Sequence, residues 1–275
     1  MKKSESDRIT RKERREILKE NDIHGKAWDQ IHGGYFSSPE IAGNFLRDVE
    51  ESLTNDRPDV LVDLGGGTGF ILGEIIRRNP RLAIHFVNVD LSGKQLHHEH
   101  DGRIQVLGQS IADFTRRDID LPSQHFFFIM RSVLHYFGRE GFLPLLHHLR
   151  SQMQPGEFFI HQTACFRSSA DASFMNLLYA RMNTGKWYPT IGKLNLALRK
   201  TGFHVHGVHP APPLPLTSPD LARRYGLTGT VLHDIQRELL ERSEEKKGLF
   251  TSSGEGFCAC LHYSIFVCEA VSPHP

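Results

Sequence analysis

This chain is poor in cysteine, and the few cysteines that it has form no recognisable ligand pattern. Four occur in 275 residues. None belongs to a C-x-x-C pair, and no histidine cluster with zinc-ligand spacing lies beside them. We therefore expect reduced thiols in a cytoplasmic protein and no metal site.

A net charge of one sign and a long apolar run are also lacking. Lysines and arginines total 33 against 32 aspartates and glutamates, so the formal net charge is only +1. This balance predicts no nucleic-acid partner and no attraction to an anionic membrane. The N-terminal residues are charged where a signal peptide needs an apolar core, and no run approaches the length of a membrane span. We expect a soluble protein with no membrane partner.

The chain has enough hydrophobic residues, 39% of the total, to form one full apolar core. From residue 59 onward, apolar strand patterns alternate with helical patterns. This alternation is typical of a parallel sheet that is covered on both faces. The predicted strands are residues 60–62, 82–89, 104–107, 125–130, 158–163, 203–208 and 257–267.

The most informative stretch is residues 60–70, VLVDLGGGTGF, in which a buried strand meets a tight turn and a helix start. Gly65 and Gly67 have no Cβ, so a ligand can approach the backbone closely there. The nicotinamide dinucleotide fingerprint G-x-G-x-x-G/A fails, because Phe70 would hold the helix and the strand apart. Asp63 would repel a pyrophosphate, and it favours a ligand that carries an ammonium or hydroxyl group.

The spacing of the acid and the glycines resembles the first motif of the class I S-adenosylmethionine-dependent methyltransferases. That motif is an acid followed by x-G-x-G-x-G, and Asp63, Gly65, Gly67 and Gly69 match it. An ordinary glycine turn in another doubly wound domain is the alternative. The resemblance implies S-adenosyl-L-methionine as the cofactor. It also implies an α/β fold with a doubly wound, mostly parallel sheet of seven strands in the order 3-2-1-4-5-7-6, whose last strand is antiparallel.

Residues that follow the second and third strands extend this resemblance. Asp90 ends the second strand, where the family keeps a carboxylate that accepts hydrogen bonds from both ribose hydroxyls. Helix capping is the alternative role. After the third strand the family places an acid toward the adenine amino group, whereas this chain has Gln109 and Ser110. The cofactor-binding set predicted on this basis is Asp63, Gly65, Gly66, Gly67, Asp90, Leu91, Gln109, Ser110, Arg131 and Tyr35.

The end of the fourth strand narrows the resemblance to small-molecule O-methyltransferases. Their pattern is a basic residue, three residues and then His-Asp-Trp. Arg131 and His135 match it, and Tyr136 and Phe137 replace the last two positions. The resemblance implies that Arg131 touches the cofactor and that His135 removes the acceptor's proton, for which an imidazole has a suitable intrinsic pKa. A packing role for His135 is the alternative.

The N-terminal segment lies outside the resemblance. Residues 1–57 lack strand alternation, and we expect a helical segment that closes over the cofactor. Ser38, just before a proline and an acid, predicts a helix start there. Trp28 and Tyr35 are bulky for a linker, so they either cover the cofactor or pack in the core. Residues 58–275 form the predicted Rossmann-like domain.

Two helical insertions decorate that domain. Residues 168–188 add a helix over the sheet edge where an acceptor should lie. Residues 210–255 add a proline-rich loop, a helix capped by Ser218 and an amphipathic helix over residues 230–246. Ordering a residue costs about 1 to 2 kcal/mol of backbone entropy, so these segments should bury surface. A substrate cap and a homodimer face are the two candidate roles.

The predicted reaction is in-line transfer of the sulfonium methyl to a small-molecule acceptor, at a hydroxyl oxygen in preference to nitrogen or carbon. The cofactor is already electrophilic, so the protein has to supply alignment, exclusion of water and at most one base. Two other interpretations remain. One is a protein methyltransferase with an open acceptor cleft, and the other is a protein that binds the cofactor without methyl transfer or uses it for another reaction.

Overall fold

The structure is a computed structural model, and it describes residues 33–92, 102–121, 124–242, 248–254 and 256–272. Trp28 of the predicted lid lies outside the described residues. The same holds for residues 243–246 at the end of the predicted amphipathic helix.

The described residues form one eight-stranded sheet with the spatial order β3-β2-β1-β4-β5-β8-β6, and β7 pairs with β8. The first five strands are parallel, and β8 runs antiparallel to both β5 and β6. The predicted sheet order is confirmed, with one additional strand in the second insertion. The strands are β1 (Val60–Leu64), β2 (His85–Val89), β3 (Ile104–Leu107), β4 (Phe126–Arg131), β5 (Phe158–Ala164), β6 (Phe203–Thr217), β7 (Phe250–Ser253) and β8 (Gly256–Ala270).

The proline-rich part of the second insertion is a strand, so its prediction as a loop is wrong. β6 continues through it to Thr217 and pairs with β8 along the way. Two register shifts, between Val205 and Gly207 and between Ala211 and Leu214, interrupt this pairing. Proline lacks a backbone N–H, but a strand at the edge of a sheet tolerates that loss at irregular positions.

Seven α-helices connect and cover these strands within the described part of the chain. None of them is both long and apolar enough to traverse a lipid bilayer. They are α1 (Gly43–Asp56), α2 (Phe70–Arg78), α3 (Gly138–Ser151), α4 (Ser169–Arg181), α5 (Ile191–Lys200), α6 (Ser218–Tyr225) and α7 (Gly229–Arg242).

Two predicted helix starts are displaced. Ser38 Oγ accepts a hydrogen bond from the Ile41 N–H within a turn, and α1 begins only after that turn. Thr217 caps α6, because its side chain accepts from a backbone N–H three residues on. Ser218 is the first residue of α6, and its hydroxyl accepts from the Phe257 N–H of β8 instead. At Ser38 the hydroxyl bonds locally within the turn, whereas at Ser218 pairing with a distant strand decides which backbone group the hydroxyl meets.

The interior strands are buried on both faces, as the alternation predicts. On β1, Val60 and Val62 belong to an apolar cluster with α3 and α5, whereas Leu61 belongs to a cluster with α1 and α2. Helix α1 therefore packs on the sheet, although it lies in the segment that was predicted as a lid. Only the residues before α1 are left for a covering role.

A third apolar cluster lies beyond the carboxyl end of β5, and the two insertions build it. Helices α4, α6 and α7 contribute Leu178, Leu221 and Leu239, all buried, and β8 contributes Leu261. The insertions thus bury surface against the core domain, as their entropic cost requires. The packed insertions form a wall above the carboxyl edge of the sheet, opposite the strand ends.

Candidate functional site

A pocket opens between the carboxyl ends of β1, β2 and β4 and the wall that the insertions build. This edge is where parallel sheets hold their ligands. We call its two parts the glycine-turn end and the aromatic end. The glycine-turn end is lined by Asp63, Gly65, Gly66, Gly67, Asp90, Leu91, Ser92 and Ile111, and the aromatic end by His135, Tyr136, Tyr179, Lys186, Tyr188, Arg224 and Tyr263.

The glycine turn has no room for side chains. Gly65 and Gly67 take positive φ values of 78° and 56°, which lie in the left-handed region. A Cβ on Gly66 would lie 2.5 Å from both Asp63 Oδ2 and Asn88 Oδ1. All three glycines line the pocket, and the close approach of a ligand to their backbone stays a prediction.

Asp90 is held in place by the backbone at the end of β2. Its Oδ2 accepts from the Gly67 N–H at 2.9 Å, and its Oδ1 accepts from the Ser92 N–H at 2.7 Å. Burial raises the pKa of Asp90, and these two N–H groups partly offset the rise. Each carboxylate oxygen keeps a further lone pair. Asp90 thus both closes the turn and presents acceptors to the pocket.

Asp63 is a buried carboxyl group at the end of β1 that is only partly hydrogen bonded. It is 1% exposed, and its Oδ2 makes no hydrogen bond to any described residue. Burial and then the charge of Asp90 raise the pKa of Asp63 to about 7, although Arg131 acts in the opposite direction. A buried carboxylate in this state is matched by a ligand that brings a positive charge or hydrogen-bond donors.

Arg131 lies near enough to Asp63 to lower the pKa of that carboxyl, and it ties the segment before α1 to the sheet. Its Nη1 donates to the Phe36 carbonyl at 3.0 Å, and its Nη2 donates to the Tyr35 carbonyl at 3.2 Å. Its Nε is buried and bonds to none of the described residues. Burial lowers the pKa of Arg131. The Nε–H of the guanidinium is therefore a buried donor that a ligand can use.

Three residues of the predicted cofactor set lie outside the pocket wall. Tyr35 is 2% exposed, and its hydroxyl donates to the Pro212 carbonyl, whereas its neighbour Phe36 lines the pocket. Gln109 donates to Asp118 Oδ2 at 2.8 Å. Ser110 accepts from the backbone two residues on. Its neighbour Ile111 lines the pocket instead, so the pocket surface at this position is apolar.

His135 lies at the aromatic end, in the 3-10 helix Leu134–Phe137 that follows β4. Its ring stacks on Tyr188 with 5.4 Å between centroids, and it lies 4.3 Å from the Tyr136 ring. Its backbone carbonyl accepts from the Trp187 N–H. His135 is therefore packed among aromatic rings and also faces the pocket.

The insertions bring residues to the site that the sequence analysis missed. Lys186 Nζ donates to the Tyr225 hydroxyl at 3.1 Å and lies 4.7 Å from the centre of the Tyr136 ring. Arg224 lies 5.6 Å from the Tyr225 ring. No local pattern marks these cations, because they come from different helical insertions and meet only in the folded protein.

Ser132 is a second missed feature. It is a non-glycine residue at φ 62°, directly after β4. Its Oγ and the Tyr263 hydroxyl are 2.8 Å apart and hydrogen bonded, and both residues line the pocket. Left-handed strain in a serine is typical of a functional site, where the surrounding structure holds an unfavourable conformation.

Comparison with known sequences is consistent with this geometry. The sequence model of a family described as "Methyltransferase domain" matches residues 40–208, more than half of the chain. The match begins before residue 58, in agreement with the packing of α1 on the sheet. A curated relative, O-methyltransferase 12 of Dictyostelium discoideum, is 24% identical over 158 residues. The match covers 54% of this chain and 40% of that protein.

Comparison with solved structures shows the same fold. A protein of Bacillus halodurans superposes with a TM-score of 0.64 at 11% identity, over 84% of this chain and 100% of that chain. An O-methyltransferase family protein of Burkholderia thailandensis superposes with a TM-score of 0.53 at 16% identity. That match covers 90% of this chain and 60% of the other chain.

The state of Asp63 leads to a prediction about the ligand-free protein. A raised carboxyl pKa means that the folded state binds the proton more tightly than the unfolded state. Below about pH 4 Asp63 is protonated in both states and does not lower the free energy of unfolding. As the pH rises through about 7 the folded protein has to bury the charged carboxylate, and the free energy of unfolding falls. Asp63→Asn, which carries no titratable group, should therefore melt at a higher temperature than the wild type at pH 8, by several degrees, with little gain at pH 4.

Thermal unfolding between pH 4 and pH 8 measures this difference. Asp234→Asn is the matched control, because it removes the exposed carboxylate of the Arg237–Asp234 ion pair and should change the melting temperature little at any pH. Parallel pH profiles for Asp63→Asn and the wild type would contradict the assignment of a costly buried charge.

Proposed function

The chain belongs to the methyltransferase domain family, and from this premise we propose that it transfers the methyl group of S-adenosyl-L-methionine to a hydroxyl group of a small molecule. The observation that carries the proposal is the pair of strand-end carboxylates, Asp63 and Asp90, on either side of a glycine turn. A Cβ on Gly66 in that turn would collide with Asp63. An acid beside backbone at this edge suits a ligand that combines an amino-acid cation with ribose hydroxyls.

The residues of the pocket fit this cofactor group by group. Asp63 Oδ2 is a buried acceptor for the ammonium group, and Arg131 Nε is a buried donor for the carboxylate. Asp90 would accept from the ribose hydroxyls, and Leu91 and Ile111 supply apolar surface for the adenine ring. A zwitterion thus meets a carboxylate and a guanidinium that lie on neighbouring strands.

The cofactor supplies an electrophilic methyl group on a sulfonium sulfur. With the cofactor bound, His135 would take the acceptor's proton on its imidazole as the acceptor oxygen displaces the sulfur, with its bonding electron pair, from the methyl carbon. The protein contributes alignment and exclusion of water. The wall built by the insertions surrounds the aromatic end, which favours a small acceptor over the side chain of a folded protein.

Cofactor binding is tested with S-adenosylhomocysteine, the demethylated product, by isothermal titration calorimetry. Asp90→Ala should weaken binding by roughly 1 to 3 kcal/mol, because charge-assisted hydrogen bonds to the ribose are lost. Asp234→Ala removes an exposed carboxylate instead and should bind as the wild type does. Equal affinity of Asp90→Ala and the wild type would refute the ribose assignment.

The proposed role of His135 as the general base predicts a specific loss. Once an acceptor is available, His135→Gln should lower turnover by roughly 100 to 10,000-fold and leave S-adenosylhomocysteine affinity nearly unchanged. The acidic limb of the wild-type pH–rate profile should disappear in the variant. His204→Gln, on exposed β6, serves as the control. If His135 only packs, stability and cofactor affinity will fall together with the rate.

We propose that the N-terminal segment before α1 covers the cofactor. Phe36 lines the pocket, and Arg131 donates to the Tyr35 and Phe36 carbonyls. A cofactor carboxylate at Arg131 would therefore stabilise the same guanidinium that holds the segment closed.

Hydrogen exchange tests this covering role. Adding S-adenosylhomocysteine should slow amide exchange in residues 33–42 severalfold, as well as in the glycine turn. Helix α5 is the internal reference, since none of its residues lines the pocket. Protection that is confined to the glycine turn would show that the segment does not respond to the cofactor.

A further inference from the structure

Ser132 lies where the two ends of the pocket meet. It follows β4 directly, and the next residue, Val133, lies against the glycine turn, since a Cβ on Gly65 would be 2.6 Å from Val133 Cγ2. The Ser132 hydroxyl is itself hydrogen bonded to the hydroxyl of Tyr263 at the aromatic end. In the proposed reaction the methyl group passes from the glycine-turn end to the aromatic end. Ser132 therefore lines the pocket at the junction that the methyl group crosses.

The backbone of Ser132 is held in a conformation that suits glycine better than serine. Its φ of 62° lies in the left-handed region, where a Cβ is crowded by the following carbonyl oxygen. The Ser132 N–H donates to the Gln162 carbonyl of β5 at 2.8 Å, so the sheet fixes this conformation. A glycine would adopt the same turn without strain. What a serine adds to a glycine at this position is a hydroxyl, which is a group that can bind a ligand.

Tyr263 holds that hydroxyl at a fixed point. It belongs to β8, where Ala164 of β5 and Ala211 of β6 pair with it in register. The hydroxyl oxygens of Tyr263 and Ser132 are 2.8 Å apart, and either of them can be the donor. A hydroxyl has one proton and two lone pairs. When Tyr263 donates to Ser132, the proton of the Ser132 hydroxyl can be donated to a ligand in the pocket.

We propose that Ser132 positions the methyl acceptor by donating a hydrogen bond to its hydroxyl oxygen, while Tyr263 fixes the direction of the Ser132 hydroxyl. The inference rests on the proposed methyl transfer and adds a residue to it. The acceptor hydroxyl gives its proton to His135, accepts from Ser132 with one lone pair and attacks the methyl carbon with the other. Ser132 keeps its own proton throughout. It orients the oxygen and stabilises the negative charge that develops there as the acceptor's proton leaves.

The test compares two small probes, 4-fluorophenol and 4-fluorotoluene, which carry a hydroxyl and a methyl group at the same position of the ring. Fluorine NMR at neutral pH measures the binding of each probe to the full chain saturated with S-adenosylhomocysteine. We expect the wild type to bind the phenol about 5-fold more tightly than the toluene, because only the phenol accepts the hydrogen bond. Equal affinity for the two probes, or no binding of the phenol, would overturn the proposal. Failure of the wild type to bind S-adenosylhomocysteine at all would instead refute the proposed function.

Variants then separate this role from a structural one. Ser132→Gly and Ser132→Ala both lack the hydroxyl, and both should bind the two probes with affinities within about twofold of each other. Ser132→Gly should melt no lower than the wild type, because it relieves the left-handed strain, so unfolding would not explain its lost preference. Tyr263→Phe keeps the ring and should lower the preference about twofold. Ser151→Ala, which removes an exposed hydroxyl at the end of α3, should match the wild type.

Two outcomes with these variants would contradict the role of Ser132. A preference for the phenol that survives in both Ser132 variants would show that the hydroxyl pair only joins β4 to β8. A fall in S-adenosylhomocysteine affinity in Ser132→Ala with an unchanged preference would place the hydroxyl on the cofactor instead of the acceptor.

Discussion

The site depends on the cost of keeping one carboxylate, Asp63, out of water. A buried acid without a hydrogen bond to its outer oxygen destabilises the fold unless a ligand or a proton satisfies it. The surroundings maintain this state: Gly66 has no Cβ and leaves space beside the oxygen, Asp90 adds a second negative charge, and Arg131 limits the accumulated repulsion. A group that is unfavourable in the free protein becomes favourable when a cationic ligand binds, which links the stability of the sheet edge to its chemistry.

Arg131 transmits that constraint to the rest of the molecule. It ends β4, lies close enough to Asp63 to influence its ionisation, and holds the backbone of Tyr35 and Phe36. Tyr35 in turn bonds to the carbonyl of Pro212 in the extended β6 and packs near Tyr263 of β8. One guanidinium thus connects the glycine turn, the segment before α1 and the second insertion, so a ligand that engages Arg131 acts on all three.

Short-range patterns in the sequence allowed the parallel sheet and the glycine-turn end of the pocket to be predicted, and the resemblance to the class I methyltransferases supplied the sheet order. Alternating strands and helices specify a parallel sheet, and the carboxyl ends of neighbouring strands meet at one edge, which brought Asp63, Asp90 and His135 to one pocket. Prediction from local patterns failed where a segment pairs with a strand far along the chain. The prolines of β6 suggested a loop, yet pairing with β8 at the sheet edge made them part of a strand.

The aromatic end was decided by tertiary structure only. Lys186 and Arg224 stand in separate insertions with no spacing that relates them, and only the packing of α4, α6 and α7 on β8 brings them to one wall. Tyr35 also could not be placed from the sequence, because its hydroxyl bonds to the distant Pro212 carbonyl. Phe36 lines the pocket instead. The residues of the glycine-turn end therefore follow from local spacing along the chain. The residues of the aromatic end follow from which distant side chains the insertions bury together.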